Sequence, residues 1–491
     1  MSITLLSLEN KKLHITDATE PIGYSSKVFI LGVCLFSTSL ALGVSGPYSS
    51  SSCNNSHALL RGSMVINSHG HLEIGGVDMV TLAIPSQYPI YVIDEVLVRK
   101  NMRDYVVCIK KFYSNPGLVF YASKVLMNLA FCKMAQVEGM GLDVSTIGEL
   151  YTAIKADFPM ENVIMHGNNK SEEEIKLALE SGVGRIVVDN LDDIKLVANI
   201  AKELGKVKNV LVRITPGIYV HTNVHMATGS NESKFGFTLD NNDAEEAIAM
   251  ILADPNLKFI GIHVHIGSQI LDISDYIKAI DVVTSFIKKL YDEKVIINEL
   301  NLGGGLGIIY NSDDKKIEIE DFIKTITTHL IAKISEQKLP LPKLMLEPGR
   351  SIVGEAGTTI YKIGATKTRN KQIYAAVNGG MNDNIRPSLY QAKYCAVMAN
   401  RMNEIANVDT KIVGKSCESG DVLIEQVFLP SPNRGDILAV LSTGAYNYSM
   451  ASNYNRIPIP GMVLVKAGKV DWIVKPQTLE DLIRNDVLPS N

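Results

Sequence analysis

The chain has 491 residues, 46% of them apolar, with 48 Lys and Arg against 52 Asp and Glu. That length supports two or three domains with buried cores and excludes a disordered or fibrous chain. A formal charge of −4 gives no electrostatic reason to expect a nucleic-acid partner, which leaves small-molecule chemistry as the expectation.

The first 63 residues read as an extension. Val28 to Val44 is an uncharged run of 17 residues, at the short limit for a membrane span, and it begins too far from the terminus for an ordinary secretory signal. Membrane contact is not expected except through this run, which leaves an organellar or anchored form open. Ser45 to Ser56 reads as a linker, and Met64 as a native first residue that makes the extension dispensable. The six cysteines, at 34, 53, 108, 132, 395 and 417, form no CxxC pair and no Cys/His group of zinc type. Free thiols, a reducing compartment and a cytoplasmic location follow as expectations.

Residues 64–98 are strand-like, with a turn at Gly75 and Gly76, and are expected to join a later β domain. From 99 to 347, short runs rich in β-branched residues alternate with stretches of helical period. Eight strands are predicted, ending at Ala122, Val144, His166, Asp189, Ile214, Ile266, Leu302 and Glu347. Parallel strands with crossover helices over that length predict an α/β fold of the (β/α)8 type. Residues 348–491 read as strands without long helices between them and predict a second, mostly β domain.

In such a barrel, chemistry sits at the C-terminal ends of the strands. Lys124, Asp143, His166, Asp189, Arg213, His263, His265 and Glu347 all fall there. Lys124, in YASK, suits a lysine that forms a Schiff base with an aldehyde, although an isolated lysine after a strand is usually just solvated. NLGGGLG, with Gly303, Gly304 and Gly305, follows the seventh strand, and EPGRS, with Glu347, Gly349 and Arg350, follows the eighth. Loops in those two places form the usual phosphate cradle of this barrel, and Arg350 adds a charged fork. Glu347 is placed to keep a pyridinium nitrogen protonated; a salt-bridged strand-end carboxylate reads equally well in isolation. HVHIGSQ puts His263 and His265 at i and i+2, on one face of a strand, with Ser268 near a phosphate. HxH is also a metal-ligand spacing, so a metal-dependent barrel hydrolase is the rival. That rival expects the pair on the first strand, whereas here it is on the sixth, and no metal is expected.

Taken in order, YASK, GLDVSTIGEL, HGNNKS, HTNVHMATGSNESKFGF, HVHIGSQ, LNLGGGLG, EPGRS, NIRPSLY, CESGD and TGAY resemble the fold-type III, alanine-racemase-like pyridoxal-phosphate-dependent decarboxylases, and among them the diaminopimelate decarboxylases. The resemblance spans about Leu72 to Val474, and the first 63 residues have no counterpart in it. It implies that Lys124 carries pyridoxal phosphate and that His265, in preference to His263, stacks on its ring. Ser268, Gly303, Gly304, Gly305, Gly349 and Arg350 then hold the phosphate, and Glu347 faces the ring nitrogen. Tyr446 of TGAY touches cofactor and substrate. Cys417 and Glu418 of CESGD match a pair that enters the site from the other subunit of a homodimer, with Cys417 as the proton donor. Arg350, Arg386, Tyr390, Glu418 and Tyr446 hold the substrate, and a guanidinium at Arg386 suits the second carboxylate of meso-diaminopimelate. Val125 departs from the alanine that many relatives have after the lysine.

The implied activity is a carboxy-lyase converting meso-2,6-diaminopimelate to L-lysine in lysine biosynthesis. Two alternatives remain. One is a decarboxylase of the same fold acting on arginine, ornithine or carboxynorspermidine; the other is a non-catalytic homologue that only binds a partner. RPSLY and CESGD count against the first, and the presence of both Lys124 and Cys417 against the second.

Overall fold

The computed structural model describes residues 60–218 and 233–490, together with Ala58 and Gly229, all within one compact unit. The apolar run Val28–Val44 and most of the motif HTNVHMATGSNESKFGF lie outside the described residues. Among the described residues no helix is long and apolar enough to cross a membrane.

Eight parallel strands form the centre: β1 (Leu118–Ala122), β2 (Gly141–Val144), β3 (Val163–Met165), β4 (Arg185–Val188), β5 (Lys208–Thr215), β6 (Leu257–His263), β7 (Glu299–Asn301) and β8 (Lys343–Leu346). Each pairs with the next, and the sheet closes where Met345 and Leu346 of β8 lie opposite Leu118 and Val119 of β1. The strands read as nearly unbroken apolar runs because both of their faces are covered. Phe120, Ile164, Val187, Leu211, Ile260 and Met345 form a cluster of their own, drawn from six of the eight strands. Side chains of this size stabilise by roughly 1.5–3 kcal/mol each when fully buried.

Helices cover the outside, and their limits follow local chemistry. In Glu172–Ser181 the Ser171 hydroxyl and the Glu174 carboxylate form a reciprocal capping box, and Gly182 ends the helix at φ +83°. His166, Asp189 and Glu347 each follow the last residue of β3, β4 and β8, while Asp143, Arg213 and His263 lie within β2, β5 and β6.

The second sheet is built around the long strand Gly357–Arg369. It pairs with Gln372–Val377, Ile437–Val440 and Ile90–Asp94. Ile90–Asp94 pairs in turn with Gly461–Lys466, in parallel, so a segment from before the barrel is inserted among strands from after it. Val65–Ile66, Leu72–Ile74 and Val77–Asp78 form a small separate sheet. Gly75 and Gly76, at φ +60° and +79°, supply the left-handed turn between the last two of these strands. Ser63 donates from its N–H and its hydroxyl to Asp94, at 2.7 Å each, so a chain beginning at Met64 would lack these bonds. Cys108, Cys132 and Cys417 are free thiols, but Cys395 is disulfide-bonded. This corrects the expectation of free thiols throughout, which rested on spacing and not on proximity in the fold.

Candidate active site

Register brings the strand-end groups to one level. His263, the last residue of β6, lies opposite Arg213 of β5 on one side and Asn301 of β7 on the other. These residues surround Glu347, which is 5% exposed. Its Oε1 accepts from His166 Nε2 and Asn301 Nδ2, both at 2.7 Å, and its Oε2 accepts from His263 Nε2 at 3.1 Å. Burial alone would push this carboxyl up, but the charges and hydrogen bonds of His166 and His263 hold it well below the usual range. Burial pushes the His263 imidazole down to about 4, against the pull of Glu347. A neutral ring that donates from Nε2 has a bare Nδ1, and His263 Nδ1 is indeed a buried atom without a partner. Glu347 is therefore held as an ionised carboxylate.

Lys124 sits in a short 3-10 turn after β1, and its Nζ donates to Asp143 Oδ2 at 3.0 Å. The other oxygen of Asp143 lies 3.8 Å from His166 Nε2, beyond hydrogen-bond range, and is a buried atom without a hydrogen-bond partner, so Asp143 stands between the Lys124 and Glu347 pairs without joining them. Burial would lower the Lys124 ammonium, but the charges of Asp143, Tyr446 and Glu347 and the bond to Asp143 outweigh it and raise it above the ordinary lysine range. With its side chain 43% exposed, the amine remains open to the barrel mouth.

The HVH pair divides. The strand ends at His263, not at Ile266 as the sequence pattern predicts, because Val264 leaves the regular ladder, though its N–H still reaches Asn301 O. His263 is buried against Glu347, while His265 is half-buried and its Nδ1 accepts the N–H of Gly304 at 3.3 Å. Burial, with the nearby charges of Lys124 and Arg213, holds His265 well below the usual histidine range. The metal-like grouping among the described residues is therefore His166, His263 and Glu347 and not the HxH pair; its ligand atoms lie within 4.8 Å of one another and are spent on mutual hydrogen bonds.

The glycine run needs to be glycine. Gly303 has φ +67°, and a Cβ on Gly304 would stand 2.1 Å from the Glu347 carbonyl oxygen. Beside it, Arg350 donates to Ser268 Oγ at 3.0 Å and to the Tyr310 hydroxyl at 2.6 Å. Gly349 packs on Val125, so EPGRS is seated directly on the turn that carries Lys124. Tyr446 closes the mouth from the β domain: its N–H donates to Val125 O at 2.9 Å, its φ is +66°, and its ring lies 4.9 Å from the Arg350 guanidinium. A non-glycine residue in this strained region is typical of a functional position.

Arg386 begins a five-residue helix, is 2% exposed, and donates to Tyr310 at 3.1 Å and Tyr394 at 2.6 Å. Two buried guanidiniums thus share the Tyr310 hydroxyl. Despite its burial, their charges lower that phenol's pKa, and against its own burial Arg386 is raised further by the two phenols. The half-buried Tyr390 ring lies 5.8 Å from Arg386. Cys417 and Glu418 are not brought to this cluster. Both are exposed; the Cys417 N–H donates to Asn455 Oδ1 at 2.6 Å, and the Glu418 carboxylate accepts within its own turn, from Ser419 and Gly420.

Residues 98–354 match the family model for the pyridoxal-binding domain of pyridoxal-dependent decarboxylases. The chain is 45% identical over 433 residues to a diaminopimelate decarboxylase of Bacillus subtilis, spanning 87% of this chain and 98% of that protein. A second relative of that name, from Bacillus methanolicus, is 44% identical over 84% of this chain and is covered to 96%. The chain belongs to the diaminopimelate decarboxylase family. Its fold is also that of the M. jannaschii diaminopimelate decarboxylase solved with L-lysine, with a TM-score of 0.82 at 34% identity over 87% of this chain and 98% of that one.

Within this family frame, Asp143, His166 and Asn301 serve Glu347 and Lys124, and Tyr310 and Tyr394 serve the arginines. Asp143 and His166 are visible in the sequence as polar strand ends, but their partners are not. Asn301 opens the NLGGG motif and is overlooked beside its glycines. Tyr310 carries no signal beyond following the glycine loop.

Proposed function

We propose that this chain decarboxylates meso-2,6-diaminopimelate to L-lysine and CO2, the last step of lysine biosynthesis, as a pyridoxal-phosphate enzyme acting in a homodimer, with a cytoplasmic location as the corollary. The observation that carries the reading is its family membership, at 45% identity over nearly the whole of a named relative. The geometry of the barrel mouth supports it.

The donor set fits pyridoxal phosphate. An amine, an ionised carboxylate and a glycine loop flanked by a hydroxyl and a guanidinium share one barrel mouth. Lys124 would bind the aldehyde, and Glu347 the ring nitrogen. Gly303, Gly304, Gly305, Ser268, Gly349 and Arg350 would hold the phosphate, with Tyr446 beside it. His265 is the histidine left to lie against the ring, since His263 is committed to Glu347. When bound, the cofactor supplies an electron sink for the pair left when CO2 departs.

The protein's own work is orientation and proton control. Arg386, with Tyr390, holds the far carboxylate of the substrate, and Arg350 contributes from the other side of Tyr310. A buried guanidinium left without a carboxylate would be penalised, so the pocket rejects monocarboxylic diamines such as ornithine. The exposure of Cys417 and Glu418 is consistent with their being lent to a second subunit, where Cys417 of the partner subunit returns a proton to carbon and Glu418 of the partner subunit meets the substrate. Purified protein with pyridoxal phosphate should release CO2 from meso-diaminopimelate and not from ornithine. No turnover of the former would overturn the substrate assignment.

A further inference from the structure

One buried carboxylate stands outside the machinery described so far. Asp421, at the end of the CESGD turn, is 3% exposed. Its Oδ1 accepts the N–H of Met381 at 2.7 Å, and its Oδ2 accepts the N–H of Ser416 at 2.8 Å. Met381 belongs to the loop that leads into Arg386; Ser416 immediately precedes Cys417. Two glycines make the nest. A Cβ on Gly380 would stand 2.4 and 2.6 Å from the two carboxylate oxygens, and one on Gly414 would stand 2.2 Å from each.

The same two segments are stitched together twice more. Lys415 N–H donates to Gly379 O at 2.9 Å, and the Ser388 hydroxyl to Gly420 O at 2.8 Å. On the Arg386 side, the Gly380 N–H donates to Asp383 Oδ2 at 2.9 Å, and the Tyr91 hydroxyl to Asp383 O at 2.6 Å. Residues 417–420 are all exposed, so no packing fixes the Cys417 turn from above. Besides the Cys417 N–H held by Asn455 Oδ1, its position is set by what grips its base, and a carboxylate holding two N–H groups is a firmer grip than a neutral acceptor.

We propose that Asp421 is a positioning residue that locks the Arg386 loop and the Cys417–Glu418 turn of one chain into a single body. The arginine that grips substrate in one site and the thiol and carboxylate lent to the neighbouring site then move together, and Asp421 is the joint. The proposal rests on the shared-site reading above.

Asp421→Asn keeps the shape but sets an amide donor against one of the two N–H groups. In the holoenzyme with meso-diaminopimelate it should lower kcat and raise KM, each by roughly 10-fold, the cost of one hydrogen bond to a charged acceptor. Combined with Cys417→Ala, the kcat effect should vanish; combined with Arg386→Lys, the KM effect should vanish. Gly380→Ala, which crowds the carboxylate from the Arg386 side, should reproduce both changes. In the protein without substrate, amide hydrogen exchange should quicken together in residues 379–386 and 414–420 of Asp421→Asn. A variant that multiplies independently with both partners, or that loosens only 414–420, overturns the joint. If Cys417→Ala and Arg386→Lys are themselves kinetically silent, the shared-site reading fails, and the exchange pattern alone still decides whether Asp421 couples the two segments.

Discussion

Arg350 and Arg386 are two buried cations that converge on one acceptor, the Tyr310 hydroxyl, at 2.6 and 3.1 Å. Each comes from a different part of the chain, and neither guanidinium would choose the other's company in a low-dielectric pocket without an electron-rich oxygen between them. Removing that oxygen alone is the informative change. Tyr310→Phe should raise KM for meso-diaminopimelate on the order of 10-fold, because the fork geometry relaxes, while kcat changes much less. Steady-state kinetics checks this; a fall in kcat at constant KM would place Tyr310 in the chemical step instead.

The pair of Lys124 and Asp143 predicts a pH dependence of cofactor loading. Against the effect of burial, the charge of Asp143 keeps the Lys124 amine protonated to higher pH than usual, and only the free amine captures an aldehyde. Capture of pyridoxal phosphate by the cofactor-free protein should therefore accelerate as pH rises. In Asp143→Asn the whole curve should move to lower pH, so that capture at pH 8 becomes roughly 10-fold faster than in the wild type. Stopped-flow absorbance measures it, and a curve that stays in place would show that Asp143 does not control this proton.

Shared sites are open to a complementation test. Lys124→Ala and Cys417→Ala homodimers should each be nearly inactive. Mixing them with subunit exchange should restore up to about a quarter of wild-type activity, since half of the dimers are mixed and each of these has one intact site of its two. Absence of any recovery, with exchange verified by mass, would place Cys417 in its own subunit's site.

Asp383 predicts a stability effect of definite sign. Burial pushes its carboxyl up to about 7 from 3.8, with the charge of Asp421 adding to the rise and bonds from Tyr361 and Gly380 opposing it. Between those values the folded chain holds a proton that the unfolded chain has released. Stability from this group is therefore full below about pH 4 and is lost as pH rises through 7. Asp383→Asn removes the linkage, so its thermal midpoint should decline less than that of the wild type between pH 5 and 8. Parallel declines would mean that Asp383 is already ionised at pH 5.

Strand ends were the most legible part of this molecule, because a barrel places the residue after each strand at its mouth whatever the helices do. Lys124, Asp143, His166, His263 and Glu347 could be read that way. The rule that residues two apart share a face failed at His265, because it holds only while the ladder continues, and β6 stops at His263. Tyr310, Asp383 and Asp421 were silent for a different reason. Tyr310 meets its arginines across 40 and 76 residues of chain, and Asp421 meets Met381 across 40, contacts that only tertiary packing creates. Local pattern carries no trace of them.

The insertion of Ile90–Asp94 between Gly357–Arg369 and Gly461–Lys466 also bears on how the chain is made. A ribosome delivers this strand before the barrel and its two neighbours only afterwards. Until the final hairpin emerges, Ile90–Asp94 is an apolar strand short of a neighbour, and the helix Glu95–Phe112 that follows it tethers it near its place. A message broken before codon 461 would yield a closed barrel with a sticky ribbon at its mouth, a product for chaperones and proteases to clear.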